Sequence, residues 1–184
     1  MVSLDFLESV EVFKDLDDNQ LRTIQNYCQI TEFKRGEKIF SAGEDPLFLW
    51  VVMQGQVDLH WEMPGRSAFA EKAVSTLSKA STFGWSSLVP PYKYRLSAYC
   101  ASRTSELVKI ARDDLINLFE EDAEIGYKVM SQLISVVAVS LKNLRPHHRS
   151  RGEIRAQTRR PPGPGQLAAG KGLPRLGPRY RQHG

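Results

Sequence analysis

Cysteine is scarce: Cys28 and Cys100 are the only two in 184 residues. Two thiols cannot build a disulfide framework, and they are too few for an iron–sulfur cluster. Histidine is nearly as rare. His60 stands alone in an alternating segment, and His147, His148 and His183 lie near the C-terminus. They form no ligand set at a metal-binding spacing, so the chain is not expected to be an enzyme. Long apolar runs are missing as well. The stretch 47–53 is far shorter than a membrane span, and no leader-like segment precedes the first helical pattern. These absences predict a cytoplasmic protein with no membrane partner.

Basic charge is missing from most of the chain. Residues 1–145 hold 16 Lys/Arg against 20 Asp/Glu, and residues 146–184 hold 9 against 1. The net charge of +4 therefore belongs to the C-terminal segment. The remainder is mildly acidic and carries no electrostatic footprint for nucleic acid.

What is present is periodicity, first helical, then alternating, then helical again. Leu4, Phe6, Leu7 and Val10 predict a short helix over 3–12. Asp17 or Asp18 can cap a second, with Leu21, Ile24 and Cys28 on one face and Cys28 as a small buried hydrophobe. From Gln29 the period becomes two. Strands are predicted at 30–33, 38–40, 47–53 and 56–61. Weaker ones fall at 67–73 and 74–79, then two more near 95–102 and 106–110. The 47–53 run is almost continuously apolar, which suits a strand buried on both faces. In 56–61, Val57, Leu59 and Trp61 point one way and Asp58 and His60 the other, which puts His60 on the polar surface. Many short strands with glycine turns predict an antiparallel double-sheet roll, which leaves few open edges.

After Ala111 the helical period returns. Asp113 or Asp114 can cap a helix to Phe119, and Asp122 a longer one to about Leu144. On the longer helix Met130, Ile134, Val137, Leu141 and Leu144 form a heptad seam. Ile125, Val129, Leu133 and Val136 form a second stripe beside it. One stripe suffices to pack the helix on its own roll, and the other predicts a homodimer contact. At Pro146 the composition breaks. Of 39 residues, 6 are Pro and 7 Gly, so 146–184 is expected to be a disordered basic tail.

The stretch with the most chemical content is 83–101, F-G-W-S-S-L-V-P-P-Y-K-Y-R-L-S-A-Y-C-A. A glycine turn exposes backbone N–H groups that suit an anion. Arg95, further along, can close on the same anion with a two-pronged contact.

Together these segments resemble the cyclic-nucleotide-binding domain family, the sensor module of the catabolite activator protein and of cyclic-nucleotide-dependent kinases and channels. The resemblance spans about 4–144. It rests on F-L-E-S-V-E-V-F-K-D-L-D-D-N-Q-L, K-R-G-E-K-I-F-S-A-G-E, L-F-L-W-V-V-M-Q-G-Q-V, F-G-W-S-S-L and R-L-S-A-Y-C-A. It implies a mainly β fold, a jelly-roll-like double-stranded β-roll with N-terminal helices and a long C-terminal helix. The family motif F-G-E-[LI]-[AS]-L is matched at Phe83, Gly84, Ser87 and Leu88. The resemblance gives the amides of Gly84, Ser86 and Ser87 to a cyclic phosphate and pairs Arg95 with it. It places Leu49 and Val51 near the pocket. The expected ligand-binding set is Phe83, Gly84, Trp85, Ser86, Ser87, Leu88, Arg95, Leu96 and Ser97. One departure stands out. Trp85 occupies the place of the family glutamate that accepts from the ribose 2′-OH, and an indole only donates. Losing that contact weakens binding about ten- to hundredfold. The family's helix-turn-helix is absent after Leu144, so no sequence-specific DNA reading is expected.

The functional expectation is a regulatory module that senses a cyclic nucleotide, cyclic AMP or cyclic GMP, or another small anion, and signals through its C-terminal helix. The alternatives are a degenerate roll serving as a dimerisation or interaction scaffold, and a truncated regulator of the catabolite activator family.

Overall fold

In the computed structural model, residues 1–62 and 73–143 are described, and all of them lie in a compact unit spanning Met1–His147. The expected strand over 67–73 falls almost wholly outside the described residues, as do Leu144 and the 146–184 tail.

Helices come first. Helix α1 (Leu4–Glu8) is capped by Ser3, whose side chain accepts from Phe6 N–H. The expected single helix over 3–12 is broken: Ser9 ends α1 and a 3-10 turn, Glu11–Phe13, follows. The break lets Phe6, Leu7, Val10, Val12 and Phe13 all reach the interior, which one straight helical stripe would not allow. Helix α2 (Asp18–Gln25) starts at Asp17 with a reciprocal capping box. The Asp17 carboxylate accepts from the Asn19 and Gln20 amides, and the Gln20 side chain accepts from Asp17 N–H. Asp17→Ala should lower the unfolding free energy by about 1 kcal/mol, read as a shifted urea midpoint at constant slope. Cys28 lies just past α2, where burial pushes its thiol up to about 12.

Among the described residues, eight antiparallel strands form two four-stranded sheets: β1 (Gln29–Lys34), β2 (Lys38–Phe40), β3 (Phe48–Gln54), β4 (Val57–His60), β5 (Ser75–Leu77), β6 (Thr82–Phe83), β7 (Ser97–Cys100) and β8 (Thr104–Ala111). One sheet runs β1-β8-β3-β6 and the other β2-β7-β4-β5. The four turn glycines, Gly36, Gly43, Gly55 and Gly84, all have positive φ.

Strand β3 shows why its sequence is apolar throughout. Leu49 and Val51 pack with the helices, while Trp50 and Val52 pack in the roll interior with Phe40, Val57, Ala98 and Leu107. One strand therefore serves two cores. Leu47, counted in that run, precedes the strand and is exposed. His60 is buried at 6% exposure, edge-on to Tyr99 at 5.6 Å. The predicted polar face of β4 is therefore covered at His60, while Asp58 on the same face stays partly exposed, and alternation alone misplaces this histidine.

Helix α3 (Arg112–Glu121) has no side-chain cap; Asp113 and Asp114 sit in its first turn instead. Helix α4 (Ala123–Asn143) begins after Asp122, whose carboxylate accepts from the Glu124 and Ile125 amides. Ile125, Val129 and Leu133 are almost fully buried, whereas Ile134 and Leu141 are 68% and 50% exposed. The stripe that docks on this subunit is thus decided. By length and mean hydropathy (1.2), Ala123–Lys142 also meets the minimum for a membrane-crossing helix, although no apolar run in the sequence does. Its buried stripe packs on the protein's own core.

Candidate functional site

The site grows from the turn after β6. Gly84 adopts φ 69° and starts a 3-10 turn, Trp85–Ser87. The Ser87 amide donates to the Gly84 carbonyl at 3.0 Å, and that of Leu88 to Trp85 at 3.0 Å. Among the described residues, the amides of Gly84, Trp85 and Ser86 donate to no backbone carbonyl. The available amides are therefore 84–86, with Ser87 already engaged.

Arg95 is presented from the opposite side, just before β7. Its neighbour Tyr94 is pinned by backbone bonds: Gly43 N–H donates to the Tyr94 carbonyl (2.8 Å) and Tyr94 N–H to Glu44 (3.2 Å). The Tyr94 ring stacks on Phe40 at 3.7 Å and 10°, and its hydroxyl donates to the Phe48 carbonyl at 3.3 Å. Burial pushes the Tyr94 phenol above its ordinary value, so that donor keeps its proton. Arg95 itself is exposed, and makes no hydrogen bond or ion pair among the described residues. A guanidinium on a rigid support, without a partner among the described residues, is ready for an external anion.

Both features border one small cavity of about 80 Å³, lined among others by Gly84, Trp85, Ser86, Arg95 and Leu96. Trp85 and Arg95 thus share a space, as do Phe83, Gly84, Ser86 and Leu96 of the expected set. Three of that set lie elsewhere. Ser87 is fully buried, with a side-chain oxygen that finds no partner among the described residues. Leu88 belongs to the helix-side core, with Leu49 and Val51. The Ser97 hydroxyl donates to Glu62 (2.5 Å) and accepts from Ala42 N–H (2.7 Å).

Other lining residues were not expected at the site from the sequence. Phe40, Tyr94, Trp61 and Leu141 complete the small cavity. A second cavity of about 480 Å³ shares Leu59, Phe83, Trp85 and Leu96 with it, and is closed on another side by Ser135, Val136, Val139 and Ser140 of α4. In that part of α4, Leu141 belongs to the expected heptad seam and Val136 to the expected second stripe, whereas Ser135, Val139 and Ser140 had drawn no attention. Among the described residues no three His, Cys, Asp or Glu side chains gather as a metal site.

The two-sheet roll with flanking helices agrees with the comparison with known proteins. The cyclic nucleotide-binding domain family matches residues 30–122, half of the chain. The chain belongs to the cyclic nucleotide-binding domain family. Among solved structures, this cyclic nucleotide-binding domain is similar to a Geobacter metallireducens GS-15 protein described as cyclic nucleotide-binding. Identity is 26% and the TM-score 0.65, covering 77% of this chain and 99% of that one. The Thermus thermophilus catabolite activator protein shares the fold at 23% identity and TM-score 0.60, over 72% of this chain and 58% of that one. So does the regulatory domain of Toxoplasma gondii PKA, solved with cAMP, at 19% identity and TM-score 0.55, over 62% and 42%. A cGMP-dependent protein kinase of Plasmodium berghei is 28% identical over 78 residues, 42% of this chain and 8% of the kinase. The matched region thus spans less than a tenth of that relative.

Proposed function

We propose that this domain is a non-enzymatic, cytoplasmic regulatory sensor for a small anionic effector, a cyclic nucleotide or another compact anion. The ligand would lie between the Gly84–Ser86 amides and Arg95. The observation that carries this reading is the Arg95 guanidinium, without a hydrogen bond or ion pair among the described residues, bordering the same cavity as the open turn. Leu141 borders it too, so occupancy is felt directly by α4. A ligand then biases the helix through its different affinity for two helix positions. Calorimetry with cyclic AMP, cyclic GMP and inorganic phosphate tests this. Heat of binding from at least one is expected, and silence from all at millimolar concentration removes the proposal.

A scaffold role is the second reading, favoured by the exposed seam. Ile134 and Leu141 face outward, with Met130 and Val137 half-buried between the two stripes. We infer a homodimer through Met130, Ile134, Val137, Leu141 and Leu144, compatible with ligand sensing. Ile134→Asp should leave the subunit folded, since the residue is exposed, yet shift sedimentation to monomer by weakening association about tenfold or more. Equal dimer content in the variant would remove the seam. Nothing in this reading asks the domain to select a DNA sequence.

A further inference from the structure

Among the described residues the two sheets end on β1 and β6, and on β2 and β5. Three of these edge strands are blunt. β2, β5 and β6 hold three, three and two residues, and the register of β2 with β7 is broken. Short or irregular edges resist pairing with another chain. β1 differs. It runs for six residues, Gln29–Lys34, in unbroken register with β8 and without glycine or proline. We propose that the β1 edge docks an extended peptide segment of a partner protein as a fifth strand, with a basic residue opposite Glu32 and an apolar one opposite Ile30.

The backbone bonds fix which groups are open. Arg35 N–H donates to the Arg103 carbonyl at 3.1 Å. That pair continues the β1–β8 register, in which Phe33 faces Ser105 and Thr31 faces Leu107. Bonded pairs alternate along an antiparallel ladder, so the odd residues of β1 bond to β8 and the even ones point away. The far side of β8 agrees. Arg112 N–H donates to the Leu47 carbonyl at 2.8 Å, which gives residues 108 and 110 to β3 and leaves Leu107 and Lys109 for β1. Two even positions are closed by turns. Lys34 N–H donates to the Glu37 carboxylate at 2.7 Å, and its carbonyl accepts from Glu37 N–H at 2.9 Å. Cys28, just before the strand, donates to the Gln25 carbonyl at 3.1 Å. Between them the N–H and carbonyl groups of Ile30 and Glu32 have no partner among the described residues. An incoming strand therefore meets two donors and two acceptors in a window closed at both ends, which sets its register.

Side chains define the partner. Ile30 is 43% exposed beside buried Val108, so an apolar residue opposite it removes apolar surface from water. Glu32 faces Glu106 directly across the ladder, and neither carboxylate has an ion pair among the described residues. Like charges in that position repel, and a lysine or arginine on the added strand relieves them. A second copy of β1 in the same window would instead set Ile30 against Glu32 and add two more carboxylates to that face, so the occupant is a different chain.

The test is an amide NMR titration of the full chain with the peptide acetyl-Thr-Lys-Thr-Val-Thr-amide. In the free protein the Ile30 and Glu32 amides should exchange with solvent at least about tenfold faster than those of Thr31 and Phe33. Saturating peptide should slow exchange at Ile30 and Glu32 by about tenfold or more and leave Thr31 unchanged. Methylating the valine nitrogen, or putting glutamate for lysine, should weaken binding about three- to tenfold. Glu32→Pro removes an outward N–H and should abolish binding with little change in melting temperature. Thr31→Pro removes a β1–β8 bond and should lower that temperature by about 10 °C. Slow exchange at Ile30 with fast exchange at Thr31, equal binding of the methylated peptide, or no binding at about 5 mM peptide overturns the inference. So does protection of Ile30 and Glu32 that grows with protein concentration alone, which would assign the edge to a second copy.

Discussion

Arg95→Ala is expected to lower the affinity for any anion that titrates the domain by about a hundred- to a thousandfold. A guanidinium gripping a phosphate makes two parallel charge-assisted bonds, each worth roughly 1.5–3 kcal/mol. Roughly 3–4 kcal/mol lost in total corresponds to that range of affinity. Stability should hardly move. Arg95 is exposed and carries no ion pair or hydrogen bond among the described residues, and such surface substitutions usually stay within about 0.5 kcal/mol. Arg95→Lys keeps the charge but loses the planar fork, so an intermediate loss is expected. Calorimetry beside a thermal melt separates the two effects. An alanine variant that binds like the parent would leave Arg95 a solvated strand-end residue.

Gly84→Ala should carry the largest stability cost of any single added methyl near the site. Two terms combine. At φ 69° an L side chain is strained by about 1–2 kcal/mol. The new Cβ would also lie 2.8 Å from Trp50 Cδ1 and 3.2 Å from the Phe48 carbonyl. Trp50 cannot easily give way. Its ring is wedged edge-on to Phe33 and Phe48, at 6.0 and 5.7 Å, and stacks on Phe83 at 6.2 Å. Overpacking of that kind costs about 1–3 kcal/mol, so about 2–5 kcal/mol in all is expected from a urea titration. Gly43→Ala is the control. Its φ is similar, 85°, but nothing lies within 4 Å of a Cβ there, so only the strain should appear, about 1–2 kcal/mol. Equal costs at the two positions would show that the aromatic wedge is softer than its packing implies. Anion affinity should fall with Gly84→Ala and not with Gly43→Ala, because only the first carries the open amides.

Legibility varied with the range over which the causes act. The caps at Asp17 and Asp122 are local chemistry, a carboxylate facing amides two and three residues on, and both are as the sequence implied. Strand β3 was legible for the same reason, since a segment buried on both faces must be apolar at every position. His60 was not. Its alternation with Leu59 is intact, but it packs edge-on against Tyr99 of β7 and is buried there, and nothing in β4 itself records that. The helix over 3–12 failed because the chain bends at Ser9 to bring two apolar stripes onto one core. At the site, Gly84 and Arg95 were legible as residue types. The 3-10 bond that removes Ser87 from the donor set, and the pairing of Ser97 with Glu62, depend on coordinates.

By itself the sequence determined the roll, its turns, the bounding helices and the one arginine suited to an anion, because backbone geometry and apolar period are written residue by residue. Tertiary structure alone decided how much room that arginine has. The Phe40–Tyr94 stack, the wedge of Trp50 and the placement of α4 over Trp85 join residues far apart in the chain. Cavity volume is set by what fails to fill a space, and no single segment encodes it.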